Sequence, residues 1–136
     1  MTRAASAAVA TVGLAVASYL VIAGGNPVCV AGGGCTAVQQ SQYAELAGVP
    51  VALLGVLGYT AILGSLLRDG EAARATTAFL ALTGFGFSAW LTYVSHAEIG
   101  ALCAWCVVSA LCMTSLAALS STAYIKGTVP FRFSGR

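Results

Sequence analysis

The chain has 136 residues, of which 59% are hydrophobic and only 7% are charged. Soluble globular domains carry about a quarter charged residues, so this composition excludes a soluble fold and predicts a surface that faces lipid. The net charge of +2, without a basic stripe interleaved with aromatic residues, also argues against a nucleic-acid partner.

Four apolar segments are long enough to cross a membrane, which takes about 20 mainly apolar residues in a helix. They are Ala4–Ala23, Pro50–Leu67, Ala75–Ser95 and Gly100–Ile125. The sequence therefore predicts an all-α integral membrane protein, with residues 1–136 forming a single four-helix membrane domain. A cleaved signal peptide is the alternative for the first segment, although the apolar part of such peptides usually covers about 7 to 15 residues.

The basic residues all fall on one side of the predicted membrane. They are Arg3, Arg68, Arg74, Lys126, Arg132 and Arg136. By the positive-inside rule, both termini are expected to be cytoplasmic. The segment 24–49 and the short link around 96–100 contain no Lys or Arg and are expected to face outward.

The outward segment contains a first pair of cysteines, Cys29 and Cys35, with the sequence Val-Ala-Gly-Gly-Gly between them. Three glycines in a row give the backbone unusual conformational freedom. A structural disulfide would gain from a rigid loop, so the glycines favour a pair that exchanges partners. Disulfides persist outside the cytoplasm, where the predicted topology puts this loop; a purely structural disulfide remains the alternative.

A short amphipathic helix is predicted after this pair, over Thr36–Leu46. Its apolar residues Val38, Tyr43 and Leu46 recur at roughly helical spacing, and Thr36 is a candidate N-cap. Such a helix would lie on the membrane face, cap the bundle and position the loop cysteines.

The second pair, Cys103 and Cys106, stands at the outward start of the fourth span with two residues between them. Near the positive end of a helix the thiolate is favoured and the pKa of a cysteine falls. Cys-x-x-Cys also occurs in metal sites, so zinc held by four thiolates is an alternative. The wider spacing of the first pair and the oxidising side argue against zinc.

The fifth cysteine, Cys112, lies six residues beyond Cys106, which places it about 240° further round the helix. It therefore points away from the pair. We expect it to be a buried small hydrophobic residue.

A larger set of residues now resembles a known family. The set is Cys29-x5-Cys35, Ser41-x-Tyr43, Gly48-Val49-Pro50, Gly55, Tyr59 and Cys103-x2-Cys106. Over about residues 10–125 it resembles the vitamin K epoxide reductase family, in particular its bacterial homologues. Many bacterial members carry a fused thioredoxin-like domain; this sequence ends at Arg136 and is expected to lack one.

The resemblance implies a multi-pass protein of the bacterial inner membrane whose helices hold a quinone, such as menaquinone or ubiquinone. It implies a reduced thioredoxin-like (DsbA-type) protein outside the cytoplasm as the electron donor. The chain would then generate disulfides in that partner and pass the electrons through its cysteine pairs to the quinone.

The resemblance also implies a role for each residue of the site. Cys29 would meet the partner, Cys35 would exchange with Cys103, and Cys106 would contact the quinone. Ser41 matches a serine that supports the loop near these cysteines. The predicted quinone-binding residues are Cys106, Val51, Leu54 and Gly55.

Two positions depart from the animal enzymes of the family. The asparagine that binds the quinone oxygen in those enzymes aligns with Val51, and a tyrosine after the active cysteines aligns with Ala110. The animal-type polar pocket, and epoxide reduction with it, is therefore not expected here. Simple quinone reduction is still expected, because a quinone ring can be held largely by apolar walls.

Three other functions fit part of the pattern. A DsbB-type oxidase has similar chemistry, but its Cys-x-x-Cys precedes the other pair, the reverse of the order here. An electron conduit for one particular exported protein, like the related methylamine-utilisation membrane proteins, is the second. A non-catalytic membrane scaffold with two structural disulfides is the third.

Overall fold

A computed structural model describes residues 2–24, 27–28 and 34–128 of the chain. Its helices are α1 (Thr2–Ala23), α2 (Gly34–Gln39), α3 (Val51–Leu66), α4 (Glu71–Val94) and α5 (Ala104–Thr128). A 3₁₀ turn at Gln42–Ala44 and a two-stranded hairpin, β1 (Glu45–Leu46) and β2 (Val49–Pro50), connect α2 to α3. A π-helical turn at Ser95–Ile99 extends α4.

The four long helices form a bundle in which each packs mainly on two neighbours. Helix α1 packs against α3 and α5, and α4 packs against the same two helices from the other side. Small residues bring the helices close together, as is usual in membrane bundles. A β-carbon at Gly13 would overlap the ring of the buried Tyr59, so a glycine is needed where α1 crosses α3.

Three of the four predicted spans are helices long and apolar enough to cross a membrane. They cover Arg3–Ala23, Glu71–Ile99 and Ala104–Ile125. Helix α3 is apolar but has 16 residues, which gives a length of about 24 Å against a hydrocarbon core of about 30 Å. The all-α membrane fold is thus confirmed, whereas the second span stays a prediction.

The ends of two spans differ from the prediction. Helix α4 begins at Glu71, four residues before the predicted Ala75, because an acidic residue in the first turn suits the positive end of a helix. Helix α5 begins at Ala104 and not at Gly100. Gly100 has a left-handed backbone with φ of +70°, which ends the preceding π turn and makes a bend before the new helix.

The predicted amphipathic helix over Thr36–Leu46 is wrong in its extent. Helix α2 covers Gly34–Gln39, so Thr36 lies inside it and is not its N-cap. Leu46 pairs with Val49 in the hairpin instead. Ala47 and Gly48 have φ of 55° and 83°, and two consecutive left-handed residues are what a tight hairpin turn requires. Of the three apolar residues predicted to line this helix, Val38 is buried in α2, whereas Tyr43 is half-buried and Leu46 is exposed.

Candidate active site

Cys103 occupies the N-cap position of α5. Its carbonyl accepts the first intrahelical hydrogen bond, from the Val107 amide at 2.9 Å, and its side chain is 1% exposed. An N-cap side chain faces the free amides of the first helical turn. In Cys103 this places a sulfur where backbone N–H groups can stabilise a negative charge.

The pKa of the Cys103 thiol is lowered from its ordinary value by its neighbours. The largest cause is a hydrogen bond from the Cys106 thiol, and the amides of Cys106 and Trp105 and the Gln39 side chain add to it, against the opposing effect of burial. The thiolate is the nucleophile in disulfide exchange. Cys103, which ionises more readily, is therefore the more reactive thiol of this pair.

Gln39, at the end of α2, joins the outer segment to the second pair. Its side-chain amide donates a hydrogen bond to Cys106 Sγ at 3.5 Å. Gln39 is not among the residues predicted for the site, because the sequence around it does not distinguish a glutamine that faces the thiols from one that faces water.

Cys35 lies in the same buried cluster as Cys103. The two side chains are 0% and 1% exposed and, with Val38, form a compact group beneath α2. A β-carbon at Gly34 would collide with the carbonyl oxygen of Leu102. The start of α2 therefore needs a glycine to approach the backbone that precedes Cys103 so closely.

The cysteines that the structure describes are in two redox states. Cys35 is disulfide-bonded, whereas Cys103, Cys106 and Cys112 are free thiols. Cys29, the predicted partner of Cys35, lies outside the described residues. The predicted assignment of exchange to Cys35 and Cys103 stays a prediction, but the structure does bring the two residues together.

Two aromatic residues hold the backbone of Val28, the residue before Cys29. The Val28 amide donates to the Tyr19 hydroxyl at 2.8 Å, and the Trp105 indole donates to the Val28 carbonyl at 2.8 Å. The two rings contact each other with centroids 5.1 Å apart. Trp105 stands inside the Cys-x-x-Cys sequence. Helix α5 therefore contacts the outer segment at Val28, through Trp105, and at Gln39, through Cys106.

A cavity of about 410 Å³ opens below the second pair. Both cysteines of that pair, Cys103 and Cys106, line it, as do three of the residues predicted to bind a quinone, Val51, Leu54 and Gly55. Most of the remaining wall is apolar and comes from α1, α3, α4 and α5. This part of the wall includes Ala17, Leu20, Leu80, Phe87, Leu91 and Met113.

The volume and lining of this cavity fit the ring of a quinone. Sites for small molecules usually measure about 300 to 1,000 Å³ and combine apolar walls with a few polar groups. Ala110 does not line the cavity, but Ser109 and Tyr59 do, and the Tyr59 hydroxyl lies 2.9 Å from both the Ser109 hydroxyl and the Ser109 carbonyl oxygen. The pocket thus has polar groups on α3 and α5 at positions other than the two expected from the animal enzymes.

Ser41 and Cys112 occupy different surroundings. The Ser41 hydroxyl donates to the Val38 carbonyl at 2.7 Å, which closes the end of α2 above the cavity. Cys112 is 8% exposed and packs in the bundle core. Within the parts of the chain that the structure describes, no three His, Cys, Asp or Glu side chains group to hold a metal ion.

Two cysteines at the start of a membrane helix, a third beside them and an apolar cavity beneath them define a membrane thiol oxidoreductase as the class of protein. The profile of the family described as "Vitamin K epoxide reductase family" matches residues 4–121, and the chain belongs to this family. Its members are membrane-embedded oxidoreductases that generally use a quinone and work with thioredoxin-like partners.

Proposed function

We propose that this chain generates disulfides in a thioredoxin-like (DsbA-type) protein outside the cytoplasm and transfers the electrons to a membrane quinone. The electrons would pass through two pairs, Cys29–Cys35 and then Cys103–Cys106. One observation carries the proposal: the thiol of Cys103, whose pKa is lowered, packs in one cluster with the buried Cys35 and with Cys106, and Cys106 lines an apolar cavity.

The first two steps are thiol–disulfide exchanges. The partner dithiol attacks the Cys29–Cys35 disulfide at Cys29 and leaves as a disulfide, so two electrons and two protons pass to the chain. The Cys35 thiolate then attacks Cys103 of the Cys103–Cys106 disulfide, and Cys106 leaves as a thiolate. Cys29 attacks Cys35 in turn, which restores the first disulfide and leaves the second pair reduced.

The last step returns the second pair to its disulfide. A quinone in the cavity would supply the acceptor for two electrons and two protons. The chain contributes an apolar cavity lining and the sulfurs of Cys103 and Cys106, which would give up two electrons and two protons as they form the disulfide. We limit the proposal to quinone reduction, because Val51 and Ala110 replace the polar residues of the animal enzymes.

The placement in the membrane rests on charge. Four spans, with α3 as the short one, would put the basic residues and both termini in the cytoplasm and both cysteine pairs outside, in a bacterial inner membrane. In this arrangement Cys29 would meet the partner, and Ser41 would support the segment that carries Cys35 over the second pair.

The decisive experiment mixes the purified chain in detergent with a reduced thioredoxin-like protein and a quinone. The loss of quinone absorbance should match the oxidation of the partner and vanish in Cys106→Ser. Cys112→Ser removes a free thiol from the same helix outside the site and should keep full activity. A folded chain that passes no electrons to any quinone would overturn the proposal and favour a structural role for the disulfides.

A further inference from the structure

A second cavity, of about 340 Å³, lies at the other end of the bundle, where α1 and α4 begin and α3 ends. We call this region the arginine end, because Arg3, Arg68 and Arg74 all line the cavity. Cys35, Cys103 and Cys106 lie at the opposite end of the bundle, so neither the proposed exchange nor the proposed quinone cavity uses this site.

One of the three arginines already has its partners. Arg3 forms an ion pair with Asp69 at 2.8 Å and donates to the Arg68 carbonyl at 2.6 Å, which joins the start of α1 to the α3–α4 turn. Asp69 also lines the cavity, but its charge is balanced by Arg3. The other nearby carboxylate, Glu71, is exposed in the first turn of α4.

The other two arginines leave uncompensated positive charge around the cavity. Within residues 2–24, 27–28 and 34–128, neither Arg68 nor Arg74 forms an ion pair. Two positive charges beside one cavity make the binding of an anion there favourable. The cavity therefore has the electrostatic character of an anion site.

A buried hydroxyl in the same cavity points independently to a ligand. Ser120 lines the cavity and is 5% exposed, yet its Oγ has no hydrogen-bond partner among the described residues. The neighbouring hydroxyls of Ser65 and Thr77 are paired with each other at 2.5 Å. Because buried polar groups are nearly always hydrogen-bonded, an unpartnered hydroxyl beside unpaired arginines indicates a missing acceptor.

We propose that this cavity binds a phosphate group, namely the phosphodiester of an anionic membrane lipid. Arginine guanidinium groups and hydroxyls are the donors that phosphate oxygens accept from most readily. Basic pockets between membrane helices on the cytoplasmic side of a bilayer bind anionic lipid head groups in this way. The rest of the lining includes Leu66, Ala73 and Ala123, which offer an apolar surface to the glycerol and the start of an acyl chain.

The test is a lipid titration of the full chain in a neutral detergent, followed by native mass spectrometry. The two probes are dioleoylphosphatidylglycerol and dioleoylglycerol, which share their acyl chains and differ in the phosphoglycerol head group. We expect retention of the phospholipid at a concentration about tenfold lower than that of dioleoylglycerol. Arg68→Gln with Arg74→Gln should abolish this preference.

Two further comparisons distinguish binding at this cavity from nonspecific electrostatic attraction of the lipid to the chain. Ser120→Ala leaves the charge unchanged and should weaken retention about threefold, whereas Ser115→Ala, at an exposed position on the same helix, should have no effect. Arg132→Gln with Arg136→Gln removes the same charge as the cavity pair and should keep the preference. Equal retention of both lipids, or equal losses in the two arginine pairs, would overturn the proposal.

Inorganic phosphate distinguishes the source of the ligand. If a lipid head group is the ligand, millimolar phosphate should leave the melting temperature of the chain unchanged, while the phospholipid raises it in the parent and not in the Arg68/Arg74 variant. Saturable protection by phosphate without protection by the phospholipid would overturn the lipid assignment. None of these measurements involves a thiol or a quinone, so their result is independent of the proposed electron transfer.

Discussion

The two ends of the bundle hold cavities of similar size and opposite character, about 410 Å³ beneath the cysteines and about 340 Å³ among the arginines. At the cysteine end most of the wall is aliphatic and aromatic, and its polar atoms include the sulfurs of Cys103 and Cys106 and the hydroxyls of Tyr59 and Ser109. At the arginine end the lining is rich in guanidinium and hydroxyl groups. The apolar helices thus form a common scaffold, and the residues at the ends of these helices determine what each cavity can bind.

The scaffold itself is most sensitive where α1 crosses α3. Gly13→Ala would force a methyl group into the Tyr59 ring, and overpacking of this kind costs about 1 to 3 kcal/mol of stability. We expect a lower melting temperature in detergent and a loss of function at both ends together. Gly86→Ala, which meets open space on α4, should melt at or above the parent temperature. A Gly13→Ala chain that melts like the parent would show that α1 and α3 can separate.

A substitution at the cysteine end should impair electron transfer there and leave the arginine end unaffected. Gly34→Ala would place a methyl group against the Leu102 carbonyl, so α2 must move away from Cys103. We expect electron transfer from the thiol partner to slow about tenfold, because the rate of a reaction falls steeply when the reacting groups are misplaced. The melting temperature and the lipid preference should stay unchanged.

The matched control is Gly64→Ala, since Gly64 lies near the arginine end and has no atom within reach of an added β-carbon. If Gly34→Ala transfers electrons at the parent rate, the close approach of α2 to the second pair is not needed for the exchange.

The titration of Cys103 tests the hydrogen bonds around the second pair. In the reduced chain the Cys103 pKa is lowered, chiefly by the Cys106 thiol, so its thiolate should persist below the pH at which an ordinary cysteine is protonated. Cys106→Ala should move the titration upward, and Gln39→Leu should move it upward by less. A group with a lowered pKa in the folded state contributes its full stabilisation above its unfolded-state pKa, and this contribution is lost as the pH falls from there through the folded-state pKa.

Ultraviolet absorbance of the thiolate follows this titration in a chain in which Cys29, Cys35 and Cys112 are all replaced by serine, because Cys106 is then the one other cysteine. A first midpoint at the ordinary cysteine value in this reduced chain would contradict the arrangement of donors around Cys103.

The smallest effect is expected from the contacts to Val28. Trp105→Phe keeps a ring beside Tyr19 but removes the indole donor to the Val28 carbonyl, and the loss of one hydrogen bond is worth about 1 kcal/mol. We expect partner oxidation to slow by about threefold, with no change when a small dithiol reduces the second pair directly. Tyr19→Phe, which removes the acceptor of the Val28 amide, should behave in the same way. An equal slowing with both reductants would mean that Trp105 acts on the second pair itself.

Several features of the site could be predicted because they depend on residues close in sequence. Cys103 and Cys106 stand at a helix start because their separation and the apolar run after them are local properties. The extent of the outer helix could not be predicted in this way, because the left-handed backbone at Ala47 and Gly48 pulls Leu46 into a hairpin. Gln39 was missed for a related reason, since its contact with Cys106 joins residues 67 positions apart.

The sequence by itself determined the class of protein, the membrane helices and the two ends of the bundle, since charge and hydrophobicity act residue by residue against lipid and water. Only the tertiary structure decided which groups surround the sulfurs, that Tyr59 and Ser109 are among the polar residues of the cavity beneath them, and that Ser120 lines the arginine-end cavity without a partner among the described residues. These are contacts between helices, and the rotation of each helix in the bundle depends on packing at positions such as Gly13 and Gly34 that no local pattern specifies.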